Sequence, residues 1–265
     1  MREDKEAEEM NDPKIIFQDD AFLVIDKPSG VTVNKADTTK GQVTIQDWSE
    51  NYLQIQSTKP EIQNNSQNTN GQNSFEFRNS DSEFLSRGGI VHRLDKETSG
   101  ILLIAKTPKA FLELQRQFKE RIVKKTYLAL SHGAIVPEEG EIRVPVGRLP
   151  WNRKQFGVVA GGREAVTRYK VISNFKSPIS DEQLTLVELY PETGRTHQIR
   201  VHLKHIGYPI FADFLYAGRK AARDDRKLLS RVFLHAAKIS FLHPTTGEQV
   251  SFESPLPTEL AAIIK

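Results

Sequence analysis

Two corners of this chain carry residue types that can attack, orient or bind an anion. The first is His92-Arg93-Leu94-Asp95-Lys96-Glu97-Thr98-Ser99-Gly100, which sets a carboxylate between two cations just ahead of the apolar run Ile101-Leu102-Leu103-Ile104-Ala105. Positive neighbours favour the ionised form of a carboxyl group, and an ionised Asp95 can act as nucleophile or base near neutral pH. Thr98-Ser99-Gly100 supplies turn chemistry, and the run behind it reads as a buried strand, so the carboxylate is anchored on rigid structure. Taken alone, an Arg-Leu-Asp-Lys sequence is more often an exposed ion-paired turn.

The second corner is Thr193-Gly194-Arg195-Thr196-His197-Gln198-Ile199-Arg200-Val201-His202-Leu203. A strand over 186–189 leaves through Pro191-Glu192-Thr193-Gly194, and Arg195 stands at its exit. Beyond it Ile199, Val201 and Leu203 alternate as in a strand, while Ile199, Leu203 and Ile206 step as in a helix. Gly207 suits the C′ position and selects the helix, with Thr196 as its N-cap. An arginine at a helix start opposes the macrodipole, so Arg195 is expected to hold an anionic partner or ligand. His197, His202 and His205, with His92 and His235, raise the question of a metal. Their spacing lacks an i,i+4 pair, the run holds no acid, and the chain has no cysteine, so no metal is expected. Tyr127, in Lys125-Thr126-Tyr127-Leu128-Ala129-Leu130, reads first as a strand tyrosine with its apolar body in the core.

The elements that must position these corners are mostly strands. Apolar runs at 22–25, 89–91, 101–105, 127–130, 166–172, 184–189 and 238–242 predict them, several bounded by Gly or Pro. Helical spacing appears at Phe111, Leu114 and Phe118 after Pro108, and at Leu260, Ile263 and Ile264. The absence of a regular βαβ alternation makes the fold class α+β around a mostly antiparallel sheet.

With 265 residues the chain can bury a full core. No apolar run approaches the length of a membrane helix, and the acidic start lacks the features of a signal peptide, so a cytoplasmic protein with no membrane association is expected. Zero cysteines exclude disulfides and thiol nucleophiles. Residues 1–12 hold six acids against Arg2 and Lys5, which leaves +7 on residues 13–265. That excess suits phosphate contact. Basic clusters at Arg116, Lys119, Arg121, Lys124 and Lys125, and at Arg219, Lys220, Arg223, Arg226, Lys227 and Arg231, are the expected footprint. Residues 1–12 read as a disordered acidic tail and 13–265 as one domain. Within it the amide-rich tract 63–73 lies in a mobile insertion over about 51–87, too polar to offset its ordering entropy.

Five segments in order over about 15–257 resemble the RluA-type pseudouridine synthases. Besides the two corners they are the opening hairpin with Lys27-Pro28-Ser29-Gly30, the Lys125–Leu130 stretch, and a closing segment with Phe233-Leu234-His235-Ala236, Phe241, His243-Pro244 and Pro255-Leu256-Pro257. The resemblance implies a large mixed sheet with flanking helices and one cleft, and isomerisation of uridine in structured RNA, either ribosomal or transfer RNA, with no cofactor. It makes Asp95, Tyr127 and Arg195 the catalytic set: Asp95 the carboxylate, Arg195 its bidentate partner, and Tyr127 the residue that packs on the base and helps remove the C5 proton. Arg93 would fill the gap left by a flipped-out uridine. His92, Thr98, His197, Gln198 and Arg200 are expected to bind substrate. Asp213 and Tyr216 partly match an Asp-x-x-Tyr-Gly segment, with Ala217 intervening before Gly218. About a dozen residues precede the opening strand, so no S4 module is expected, and a monomer is expected. The alternatives are a non-catalytic RNA-binding protein of the same fold, which the intact Asp95, Tyr127 and Arg195 set opposes, and a metal-assisted hydrolase using the histidines.

Overall fold

The computed structural model describes residues 12–36, 39, 41–54 and 81–264. Ile101–Ala105 and Phe22–Ile25 are apolar on both faces, which suits strands covered on both sides. They form the centre of β3 (Ser99–Ala105) and β2 (Phe22–Lys27), paired antiparallel with Ile25 opposite Leu102. Phe22, Val24, Ile101 and Leu103 face one way, onto Phe111 and Leu114 of α2 (Pro108–Lys119). Leu23, Ile25, Leu102 and Ile104 face the other, onto Ile45 and Trp48 of α1 (Ile45–Tyr52). Helix α2 opens as its sequence dictates: Thr107 accepts from the Ala110 amide and Pro108 takes the first turn.

Around this pair a nine-stranded sheet forms among the described residues, in the order β1-β2-β3-β10-β4-β9-β8-β5 with β11 on β10. The further strands are β1 (Lys14–Gln18), β4 (Lys124–His132), β5 (Glu139–Arg143), β8 (Val166–Lys176), β9 (Gln183–Pro191), β10 (Leu234–Leu242) and β11 (Gln249–Glu253). Every pairing is antiparallel except β3 with β10. The α+β class holds. A separate hairpin, β6 (Val146–Leu149) with β7 (Asn152–Val158), stands off the sheet. Two short helices, α4 (Arg219–Asp225) and α5 (Thr258–Ala261), follow α3 (Gln198–His205).

Several expectations change. Residues 89–91 contribute one isolated bridge, Ile90 to Ile104, because Gly88 and Gly89 both take positive φ and turn the chain. The two ends of the stretch expected to be a mobile insertion hold helices: Thr44 and Asp47 form a reciprocal capping box that starts α1, which runs through Tyr52. Residues 81–86 are helical, and Phe84 is buried edge-on against Phe111 at 5.9 Å. The tract 63–73, and the acidic tail apart from Asp12, lie outside the described residues.

Gly100 is not a turn residue. It lies in β3 at φ +108°, opposite Ala236 where the two parallel strands meet, and a Cβ there would stand 2.3 Å from the Ala236 carbonyl oxygen. Only a residue without a side chain permits that approach. Gly100→Ala is therefore expected to destabilise the fold by about 2–4 kcal/mol in urea denaturation, through backbone strain and a forced strand shift. A loss within about 0.5 kcal/mol would show that the junction can open.

Candidate active site

Asp95 sits in a tight turn just before β3. The Thr98 amide donates to the Asp95 carbonyl, closing the turn, and Thr98 itself is buried. The next carbonyls are clamped from two sides. Lys96 O accepts from Gly30 N at 2.8 Å and from Lys27 Nζ at 3.2 Å, and Glu97 O accepts from Ser29 Oγ at 2.7 Å and from Arg231 Nη1 at 3.2 Å. The Glu97 carboxylate accepts from Arg226 Nη2 at 2.6 Å and from Val232 N at 3.0 Å. The Lys-Pro-x-Gly turn is thus a brace for the Asp95 turn. Lys27 is fully buried, and burial, then the charge of Arg231, pushes its amine down to about 7.

The cation on Asp95 is Arg200, where Arg195 was expected. Arg200 Nη1 donates to Asp95 Oδ2 at 3.2 Å, while its Nε and Nη2 donate to both oxygens of Asp213 at 2.7 and 2.8 Å. Asp213 is fully buried and the Arg200 side chain is 9% exposed, whereas Asp95 keeps 19% of its surface open to the cleft. Burial opposes the Arg200 charge, but the bonds and charge of Asp213, followed by the charge of Asp95, outweigh it and hold the guanidinium above its ordinary range. Arg195 instead donates from Nε to the Glu164 carbonyl at 3.1 Å. The reason is local. Gln198 N bonds to Arg195 O, closing a turn in which His197 takes left-handed φ of 57°, so Arg195 lies outside the helix and Arg200 falls on its buried face. His197, with no side-chain cap bond, occupies the N-cap expected of Thr196, and Gly207 at φ +91° ends the helix as expected.

Gln198 is also reassigned. Its Oε1 accepts from Thr193 Oγ1 and Arg195 N, and its Nε2 donates to Val166 O and Thr167 Oγ1. With all four positions taken, it ties the loop to β8 and has none left for substrate. His197 does face the Asp95 carboxylate, its Nε2 3.9 Å from Oδ2. The Tyr216 hydroxyl lies 2.8 Å from His197 Nδ1 and accepts from Phe156 N at 3.1 Å. Asp213 and Tyr216 therefore belong to the site despite the intervening Ala217. The other histidines disperse: His235 bridges Ser99 Oγ and Ser254 O, and His202 Nε2 donates to Val144 O. No group of three side chains placed to hold a metal occurs among the described residues.

These groups line a cavity of about 510 Å³ that takes in His92, Arg93, Asp95, Thr98, Tyr127 and Arg195. Tyr127 reaches it from β4, one pleat repeat from Lys125, which also lines it. Burial, then the Asp95 charge, raises the Tyr127 phenol above its ordinary value, so it stays protonated. His92 stacks on Phe118 with ring centres 4.8 Å apart, and its Nε2 accepts from Leu103 N at 2.9 Å. Arg93 is exposed and carries no hydrogen bond or ion pair to a described residue. The basic clusters are partly spent on the protein's own acids. Arg116 pairs with Glu113 and Glu120, Arg226 with Glu97, and Arg231 with Glu259. From these clusters Lys119, Arg121 and Lys125 line the cleft.

A family model described as RNA pseudouridylate synthase matches residues 21–205. Over 254 residues the chain is 37% identical to the ribosomal large subunit pseudouridine synthase D of Neisseria meningitidis serogroup B, which covers 93% of this chain and 59% of that protein. It is 36% identical over 257 residues to the protein of the same name in Nitrosomonas europaea, covering 95% and 64%. The solved structure of Human RNA Pseudouridylate Synthase Domain Containing 1 matches with a TM-score of 0.65 at 26% identity, over 96% of this chain and 86% of that one. The chain thus spans about three-fifths of the length of those two curated relatives.

Removing Arg200 would strand a buried Asp213, so Arg200→Ala is expected to cost about 3–5 kcal/mol in urea denaturation. Arg195→Ala, which breaks one bond at the surface, is expected to cost less than about 1 kcal/mol. Equal losses would reverse the assignment of the two arginines. His92 yields a pH-dependent outcome. Burial, then the charge of Lys125, pushes it from 6.5 down to about 3, so between those values the unfolded chain binds more protons at this residue. Its contribution to stability is whole above 6.5 and is lost as pH falls toward 3. The stability deficit of His92→Gln is therefore expected to be largest at pH 7 and smaller at pH 4.5. A deficit that grows on acidification would contradict this.

Proposed function

The chain belongs to the RNA pseudouridylate synthase family, and on that footing we propose that it isomerises uridine to pseudouridine in structured RNA with Asp95 as the catalytic carboxylate. The observation that carries the reading is the Asp95 carboxylate held at the cleft wall by Arg200, which is itself locked on Asp213. Orientation by a preorganised partner is what a carboxylate acting at a ribose needs, since a group free to rotate loses the advantage of proximity. The relatives named as ribosomal large subunit pseudouridine synthases favour large-subunit ribosomal RNA as the substrate.

In this reading the target uridine is extruded into the cavity. Arg93, exposed at the rim and without hydrogen bond or ion pair to a described residue, is placed to meet the RNA backbone beside the extruded nucleotide. Asp95 begins the reaction either by adding to the nucleoside or by removing a ribose proton. The electron pair of the N1–C1′ bond departs with the uracil, and an anion beside C1′ steadies the charge that develops there. The ring then turns within the cleft and bonds to C1′ through C5; the bond to Asp95 breaks on the first route, or the proton held by Asp95 returns to the ribose on the second, and the uracil loses the C5 proton and gains one at N1. No electrons leave the substrate, so no redox group or donor is needed. The raised Tyr127 phenol suits packing against the turning base better than removal of its proton.

Asp95→Asn keeps the side chain's shape and removes its capacity as nucleophile and base. It is expected to abolish pseudouridine formation in large-subunit ribosomal RNA by at least about 10³-fold, while melting behaviour and RNA affinity stay near wild type. Pseudouridine mapping by chemical adduct and reverse transcription measures the first, and filter binding the second. Turnover by the Asn variant near the wild-type rate would remove Asp95 from the chemistry.

A further inference from the structure

Asp95 stands on a wall between two cavities. Beyond the cleft already described, a second space of about 440 Å³ shares Arg93, Leu94, Asp95, His197 and Arg200 with it and adds Lys96 and Phe214. A space of that size admits one nucleotide. Phe214 is 66% exposed, an unusual state for a phenylalanine beside a functional carboxylate. Its mounting is rigid. Asp213 Oδ1 accepts from Leu215 N and Tyr216 N, Asp213 O accepts from Ala217 N, and Gln155 Nε2 of the β6–β7 hairpin donates to Leu215 O. The neighbouring Asp213 is gripped by Arg200, which in turn grips Asp95. An apolar ring is therefore held in water at a set place relative to the reacting centre. Across the same space the Arg93 and Lys96 side chains are exposed and form no hydrogen bond or ion pair with described residues.

An exposed aromatic ring on a braced turn, lining one space with two cations that hold no described partner, fits a ligand with a flat π-face and a negative charge. A nucleotide has both. We propose that the second cavity is a subsite for the nucleotide next to the target uridine, its base stacked on Phe214 and its phosphate between Arg93 and Lys96. The inference rests on the reading of Asp95 as the point where the RNA is attacked: once one nucleotide enters the first cavity, its chain neighbour must lie against the wall they share. Stacking is indifferent to base identity, so the subsite grips the strand without dictating its sequence.

The test uses the full chain. Phe214→Trp in a Trp151→Phe background puts a fluorophore on the platform, and a single-stranded uridine decamer should quench it relative to the Trp151→Phe parent. A decamer of the same length and charge with abasic residues should not, because phosphate alone does not stack. Phe214→Ala should weaken binding of the uridine decamer by about tenfold, within the range of one stacked base, and leave the abasic decamer unaffected. On ribosomal RNA the same variant should raise KM by a similar factor with kcat retained. Equal quenching by both decamers, or an equal loss of affinity for both, overturns the subsite. A wild-type chain that binds with this base dependence but forms no pseudouridine overturns the proposed activity and leaves the subsite standing.

Discussion

Arg200 is the residue on which the geometry of the site depends. Its guanidinium donates through two nitrogens to a fully buried Asp213 and through a third to Asp95 at the cleft. A buried carboxylate without its cation is costly, so the arginine cannot leave Asp213, and it therefore cannot swing away from Asp95 either. The planar fork makes this possible, since it presents its donors in fixed directions where an ammonium would not. The buried carboxylate and the one at the cleft share one cation, and the burial of the first orients the second. Tyr216 lies under the guanidinium at 5.0 Å, closing the remaining face.

The turn that carries Asp95 is held by backbone acceptors more than by its own side chains. Lys27 sends its amine to the carbonyls of Pro28, Val31 and Lys96. Arg231 reaches the Glu97 carbonyl from the other side while bound to Glu259. Two cations thus come together in a region with little water, and that crowding is part of why the Lys27 amine is pushed down to about 7. Residues from the end of β2, the Asp95 turn and the segment before β10 meet here, Lys27 and Arg231 more than 200 positions apart in the chain.

Much of the positive charge goes into such internal work. Arg116, Arg226 and Arg231 each hold protein acids. The excess available to a phosphate backbone is accordingly narrower than the composition suggests, and part of it lies at the cleft, where Arg93, Lys96 and Lys125 have no ion pair with a described residue. The β6–β7 hairpin reaches the same region by another route, through Phe156 N to the Tyr216 hydroxyl and from there to His197.

Local sequence carried a good share of this. The alternating buried faces of β2 and β3, the proline-led start of α2, the glycine that ends α3 and the Asp95 corner all follow from periodicity and turn chemistry within a dozen residues. Thr44-x-x-Asp47 was an equally local signal for α1, obscured by the amide-rich stretch that follows it. What the sequence did not determine was which of two arginines five residues apart would reach Asp95. That choice turns on a left-handed backbone at His197, a buried Asp213 thirteen positions downstream of Arg200 and a glutamine consumed in tying the loop to β8. None of these leaves a periodic trace, because each is satisfied by contacts distant in the chain. That Phe214 lines one space with Arg93 and Lys96 is likewise tertiary, arising only when the Asp213 turn packs beside the Asp95 turn. The chain's own pattern selected most of the strands, the longer α2 and the Asp95 corner, while close packing decided which cation orients the Asp95 carboxylate, since only the folded interior makes an unpaired charge too costly to leave.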